Sequence, residues 1–187
     1  ENIYGGKGND NLTGNALNNV MRGGYGNDTL SGLAGDDTFD EKQGWDTTLN
    51  SGAGGFSVAL SSGNDTLIGG LGVDTADYSE RTANLVITMD GVAGTPGAYD
   101  GVDTDNNGTA NEQDDVYDDV ENLVGGTAAD TLTGNAGDND IKGGAGADSI
   151  SGLAGNDNLA GDAGDDSIDG GNGDDTIDGG ANQTSTG

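Results

Sequence analysis

The 187-residue chain carries 34 acidic against 5 basic residues, with no His and no Cys, for a formal net charge of -29. That balance excludes nucleic-acid or anionic-membrane binding, which needs Lys and Arg. The missing side chains exclude disulfides, thiolate metal sites, histidine-ligated zinc and histidine acid–base chemistry.

Apolar residues make up 30% of the chain and aromatics 4%, a composition that alone would spell disorder. No apolar run approaches the about 18 residues of a membrane-crossing helix, so membrane insertion is not expected. With no initiator Met and no signal-peptide pattern, the chain reads as a piece of something longer. Its 39 glycines, however, fall in phase.

A nine-residue frame, G-G-x-G-x-D-x-U-x with U apolar, starts at Gly5 and runs to Leu49 in five units beginning at residues 5, 14, 23, 32 and 41. Two more begin at Leu60 and Gly69, six run from Gly125 to Asp178, and a remnant starts at Gly179. Position 6 is Asp in every complete unit except those with Asn19 and Asn139, and position 8 is apolar in all but the unit with Thr48. Filler has no reason to keep three residue types in phase, so the repeat is a structural unit. A longer repeat overlies it: residues 1–37 match 121–157 at 21 positions, as in a tandem array.

The spacing predicts a local structure. Glycines at positions 1, 2 and 4 permit positive φ and close backbone approach, so the first six residues can wrap with their carbonyls inward. Asp at position 6 adds a carboxylate, and hard oxygen ligands of this kind suit Ca2+. Positions 7–9 read as a short strand whose middle side chain points inward. One apolar side chain per unit cannot fold a unit alone, but stacked units can share a narrow core.

Two stretches leave the frame. Residues 50–59 hold a strand candidate, Phe56-Ser-Val-Ala-Leu60, and 78–124 form a longer spacer. The spacer reads as a strand ("NLVITMDG"), a polar loop, and an apolar–acidic segment ("DDVYDDVENLVGG") leading into the next block. A widened coil is expected here, with Trp45 and Tyr78 as packing residues. Within the spacer, Asp103, Asp105, Asn107, Gly108 and Asp114 fall at positions 1, 3, 5, 6 and 12 of an EF-hand-like calcium loop. A solvated acidic loop is the alternative.

The motif resembles the RTX (repeats-in-toxin) family of hemolysin-type calcium-binding repeats. The resemblance implies an all-β fold, a parallel β-roll with two units per coil and several Ca2+ ions held between successive loops on the same side. It implies ligands from position 6 and from carbonyls at positions 2 and 4. In this chain those are Gly6, Gly8 and Asp10; Gly24, Gly26 and Asp28; Gly35 and Asp37; Asp46; Gly63 and Asp65; and Gly70, Gly72 and Asp74. In the second block they are Gly126 and Asp130; Gly144, Gly146 and Asp148; Gly155 and Asp157; Gly164 and Asp166; and Gly171, Gly173 and Asp175. The units at 14–22, 41–49 and 134–142 depart from the pattern, so full occupancy is not expected there. The resemblance also implies secretion from a bacterium, usually by a type I system, with folding once calcium is met.

The expected layout is a first block over 1–59, a short pair over 60–77, the spacer over 78–124 and a second block over 125–187, in one continuous solenoid. The expected function is a non-catalytic calcium-binding structural module of a secreted or cell-surface protein such as an adhesin or surface-layer protein. The alternative is an accessory region of a secreted enzyme or toxin whose active domain lies outside this chain. The sequence holds neither H-E-x-x-H nor G-x-S-x-G, and its carboxylates are phased for ligation, so no enzymatic activity is expected. The expected partners are calcium ions, and the chain itself or neighbouring repeats of a longer chain.

Overall fold

The computed structural model describes residues 1–40, 65–91, 100–102 and 114–180. Asp46, Gly63, Asp103, Asp105 and Asn107 lie outside them, as do Trp45 and the strand candidate at 56–60. Among the described residues all regular structure is β. The strands are β1 (Asn2–Lys7), β2 (Asn11–Thr13), β3 (Val20–Tyr25), β4 (Thr29–Ala34), β5 (Thr38–Asp40), β6 (Thr66–Leu71), β7 (Thr75–Asp77), β8 (Leu85–Thr88), β9 (Gly101–Val102), β10 (Asp115–Val116), β11 (Asn122–Val124), β12 (Thr131–Thr133), β13 (Asp140–Lys142), β14 (Ser149–Ser151), β15 (Asn158–Ala160), β16 (Ser167–Asp169) and β17 (Thr176–Asp178).

Most of these strands are three-residue segments with an apolar residue at the centre, and alternation decides their packing. In β12, Leu132 is buried between the exposed Thr131 and the half-buried Thr133, and β13 to β15 follow the same rule. Successive units face opposite walls. One wall is an eight-stranded sheet, β1-β3-β5-β7-β11-β13-β15-β17. The other comprises β2-β4-β6-β10 and β8-β12-β14-β16, with β9 beside β8. Apart from β9 on β8, pairing within each wall is parallel, with partners eighteen residues apart inside a block, as in Ile141↔Leu159 and Ile150↔Ile168. The fold is a parallel β-roll.

The core is a column of apolar rungs between the walls. Met21, Phe39, Ala76, Leu123, Ile141 and Leu159 stack in register along the first wall, all fully buried. Leu30 and Leu67 stack on the second wall, with Ile87 and Leu132 further along it. The column frays at its far end, where Ile177 is 51% exposed.

The spacer supplies both the predicted strand, β8, and two rungs that the sequence frame had not counted. Val116 of β10 stacks on Leu67, and Leu123 of β11 stacks on Ala76. Between β10 and β8 the second wall forks, because β9 enters antiparallel to β8. Asp100, fully buried immediately before β9, bridges the fork. Its Oδ1 accepts the Thr88 N–H at 2.6 Å and its Oδ2 the Val116 N–H at 3.0 Å. Burial pushes the Asp100 carboxyl up to about 8 despite those donors. Tyr78 is a packing residue, fully buried, with its hydroxyl 3.4 Å from Asp114 Oδ2.

Candidate metal centre

The loops joining the walls are positions 1–6 of each unit, and their acidic residues form ladders parallel to the strand stacks. Each position-6 residue donates its backbone N–H to the side chain of the position-6 residue one coil on. In the first block, Asp10 donates to Asp28 Oδ1 at 2.8 Å, Asp28 to Asp65 at 2.8 Å and Asp65 to Asp114 at 2.9 Å. On the other side, Asn19 donates to Asp37 at 2.7 Å, Asp37 to Asp74 at 2.7 Å and Asp74 to Glu121 Oε2 at 2.8 Å. The second block repeats this, with Asp130 donating to Asp148, Asp148 to Asp166, Asn139 to Asp157 and Asp157 to Asp175. Half of each carboxylate is thus a structural cap on a buried amide.

Asp114 is therefore a ladder residue, two positions before the rung Val116, as Glu121 is before Leu123. The remaining ligand candidates of the EF-hand-like pattern lie outside the described residues. Sequence reasoning missed Glu121 and the ladder role of Asp114, because their units lack the glycines. The acidic–x–apolar spacing was the signal that could have found both.

The other half of the carboxylate has a different fate. The Oδ2 atoms of Asp10, Asp28, Asp37, Asp74, Asp148, Asp157 and Asp166 are buried without a hydrogen-bond partner. Asp28, Asp37, Asp65, Asp74, Asp148 and Asp157 are each at most 2% exposed. A buried oxygen anion without a donor is costly and favours the protonated form. Burial accordingly raises the carboxyls of Asp28, Asp37, Asp148 and Asp157 and pushes Asp74 up to about 6, with the charges of Asp37, Glu121 and Asp119 adding to it.

The glycines divide this geometry between them. At position 1 the need is space: a Cβ on Gly23, Gly143 or Gly170 would fall onto Oδ2 of Asp28, Asp148 or Asp175, and none of the three has a positive φ. At positions 2 and 4 the need is conformational, as in Gly144 at φ 99° and Gly146 at φ 140°. Leu33, Leu153 and Asp162 hold position 2 at φ 79°, 74° and 65°, so the turn is imposed by the fold even without glycine. A Cβ on Gly26 would also collide with the Gly8 carbonyl of the loop below. Position-4 carbonyls thus face the next loop along the roll.

Four stacked pairs of such open loops are described: 5–10 with 23–28, 32–37 with 69–74, 143–148 with 161–166, and 152–157 with 170–175. Three loops are built differently. In 14–19, 125–130 and 134–139 no residue has a positive φ, and the position-2 N–H turns inward. Asn15 donates to Asn19 Oδ1 at 2.9 Å, Asn135 to Asn139 Oδ1 at 2.9 Å, and Gly126 to Asp130 Oδ2 at 2.7 Å. Burial pushes Asp130 up to about 6.

Partnerless, buried carboxylate oxygens fit a hard, oxygen-seeking cation and no soft metal. Among the described residues no three Asp or Glu side chains converge closely enough to hold a metal by themselves. Any coordination shell would therefore have to be completed by oxygens other than carboxylates, backbone carbonyls among them. In a comparison with protein families, the model for the RTX calcium-binding nonapeptide repeat (4 copies) matches residues 1–16, 13–40, 59–77, 117–150, 124–159 and 151–183, more than half of the chain. No curated protein matches the chain.

Proposed function

On the footing that the chain belongs to the RTX calcium-binding nonapeptide-repeat family, we propose that this calcium-binding structural module is secreted and folds when it meets calcium. The observation that carries the reading is the row of buried, partnerless Asp Oδ2 atoms along both edges of the roll. Within a stacked pair of open loops, the position-6 carboxylates and the position-2 and position-4 carbonyls would hold the ion. Asp148 and Asp166 with Gly144 and Gly146 are one such set, and Asp157 and Asp175 with Gly155, Gly171 and Gly173 another. Calcium supplies positive charge between carboxylates that otherwise repel, and binding energy becomes folding energy.

The protein's own residues do the remaining work. The Oδ1 ladder fixes coil spacing, the glycines let loops approach, and the apolar column aligns the strands. The core is too thin to hold the roll against the charge of -29 without counterions. The family supports a structural, non-catalytic role, and export fits a module that stays unfolded at low calcium and locks outside the cell. Far-UV circular dichroism tests this: strand signal is expected on adding millimolar Ca2+ and should vanish with chelator. A folded spectrum indifferent to chelator would sink the reading.

A further inference from the structure

The loops fall into two kinds, and the nine-residue frame sets apart 14–19 and 134–139 through Asn19 and Asn139 but keeps Asp at position 6 of 125–130. In open loops, positions 2 and 4 have positive φ and the position-6 Oδ2 is buried without a partner, as at Asp148 and Asp157. In closed loops, the same side chain is consumed by its own loop. Asp130 has both oxygens engaged, Oδ2 by the Gly126 N–H at 2.7 Å and Oδ1 by the Leu85 N–H at 2.8 Å. Asn19 and Asn139 carry no charge and give Oδ1 to the position-2 N–H. Asn135 adds a second lock, accepting the Gly137 N–H at 2.7 Å and donating to the Val120 carbonyl at 2.9 Å.

We propose that loops 14–19, 125–130 and 134–139 are closed by their own side chains and take no calcium, so that the ions load only between stacked open loops. An inward N–H presents positive charge where a cation would need oxygen, and it occupies the lone pair the cation would use. The coil beneath loop 125–130 reinforces this. Its fully buried Arg81 accepts the Thr127 N–H on its carbonyl at 2.9 Å, tying that loop down by backbone hydrogen bonding. Each closed loop also lies directly beneath an open one: 14–19 under 32–37, 125–130 under 143–148, and 134–139 under 152–157. They are floors on which calcium-bearing coils stack. Gly126 and Asp130, which match the family motif at positions 2 and 6, thereby leave the ligand set.

The inference rests on the calcium reading above. Its test is ion stoichiometry, measured on the full chain by equilibrium dialysis at saturating Ca2+, with folding checked by circular dichroism. Asp130→Asn is expected to bind the same number of ions as the parent chain, and Asp148→Asn one fewer. Should Asp148→Asn not fold, Asp157→Asn serves as the open-loop variant. Loss of an ion in Asp130→Asn overturns the partition, as does an unchanged number in every open-loop variant. A parent chain that binds no calcium defeats the proposed function instead, so the two failures are distinct.

Discussion

The backbone N–H of Asp130 donates to Asp148 Oδ1 at 2.8 Å, across one turn of the roll. The same carboxylate keeps its Oδ2 buried and partnerless. One side chain thus holds two coils in register and offers a charge to a cation. The two roles respond differently to mutation. Asp148→Asn can keep the amide cap but loses the charge, and Asp148→Ala loses both and leaves a buried N–H unpaired, at a cost of about 1–3 kcal/mol. In calcium, both variants should show lower urea midpoints than the parent, with Ala lowest. Without calcium, Asp148→Asn should be no less stable than the parent, because a repelling charge has gone. Equal losses for Asp148→Asn and Asp148→Ala in calcium would contradict the division of labour.

The raised carboxyls fix the sign of the pH dependence. Asp74 and Asp130 stand at about 6 and Asp100 at about 8, each above its ordinary value of 3.8 because burial disfavours the charge. The folded chain therefore holds protons that the unfolded chain releases. The resulting stability is fully present below the ordinary carboxylate range and is lost as pH rises through 6 to 8. In calcium-free buffer the folded fraction should be higher at pH 5 than at pH 8, read by circular dichroism without denaturant. A folded fraction that rises from pH 5 to pH 8 without calcium would refute the assignment.

Asp100 bridges β8 and β10 at the fork, accepting the Thr88 and Val116 N–H groups. Asp100→Ala leaves the Thr88 and Val116 N–H groups without their acceptor, each costing about 1–3 kcal/mol when buried and unpaired. Urea unfolding in calcium should register a drop of that order. An unchanged midpoint would mean that the fork is held by something else.

Two glycines separate open from closed loops. Gly144→Ala forces a side chain into φ 99° against the Gly126 carbonyl, and strain of this kind costs of order 1–3 kcal/mol. Gly137, in a closed loop, lies outside the left-handed region, and an added Cβ there meets only Asn135 Oδ1 at 3.2 Å. Gly137→Ala should stay within about 0.5 kcal/mol of the parent. Thermal midpoints in calcium would show whether the order is reversed.

The rungs are unequal for the same reason that the column frays. Ile141 is fully buried and Ile177 is 51% exposed. Truncating Ile141 to Ala should cost about 2–5 kcal/mol, and truncating Ile177 far less. Equal losses in urea titrations would argue that the far end is covered.

Much of this was legible in the sequence because the frame repeats. Position 8 marks the rungs from Leu12 to Ile177, and position 6 marks the edge carboxylates. What escaped lay between coils. A hydrogen bond from Asp28 to Asp65 joins residues brought together only by the stacked strands, and no local pattern announces it. The ladder role of Asp114, and Glu121 altogether, were missed because position-1, -2 and -4 glycines were taken as the mark of a unit, whereas acidic–x–apolar is enough to place a rung. Position-1 glycines were expected to serve backbone freedom; at Gly143 the space is needed for the Asp148 carboxylate. The closed loop at 125–130 was hidden too, since its Asp130 fits the frame; Ala128 at position 4 and the inward Gly126 N–H set it apart.

The central claim is that calcium between the carboxylate edges folds the roll. Amide hydrogen exchange of the ladder N–H groups, among them Asp28, Asp37, Asp148 and Asp157, tests it at the atoms concerned. The account predicts strong protection in millimolar Ca2+ and exchange near the unfolded rate in chelator at pH 7.5. Equal protection in both conditions would contradict it.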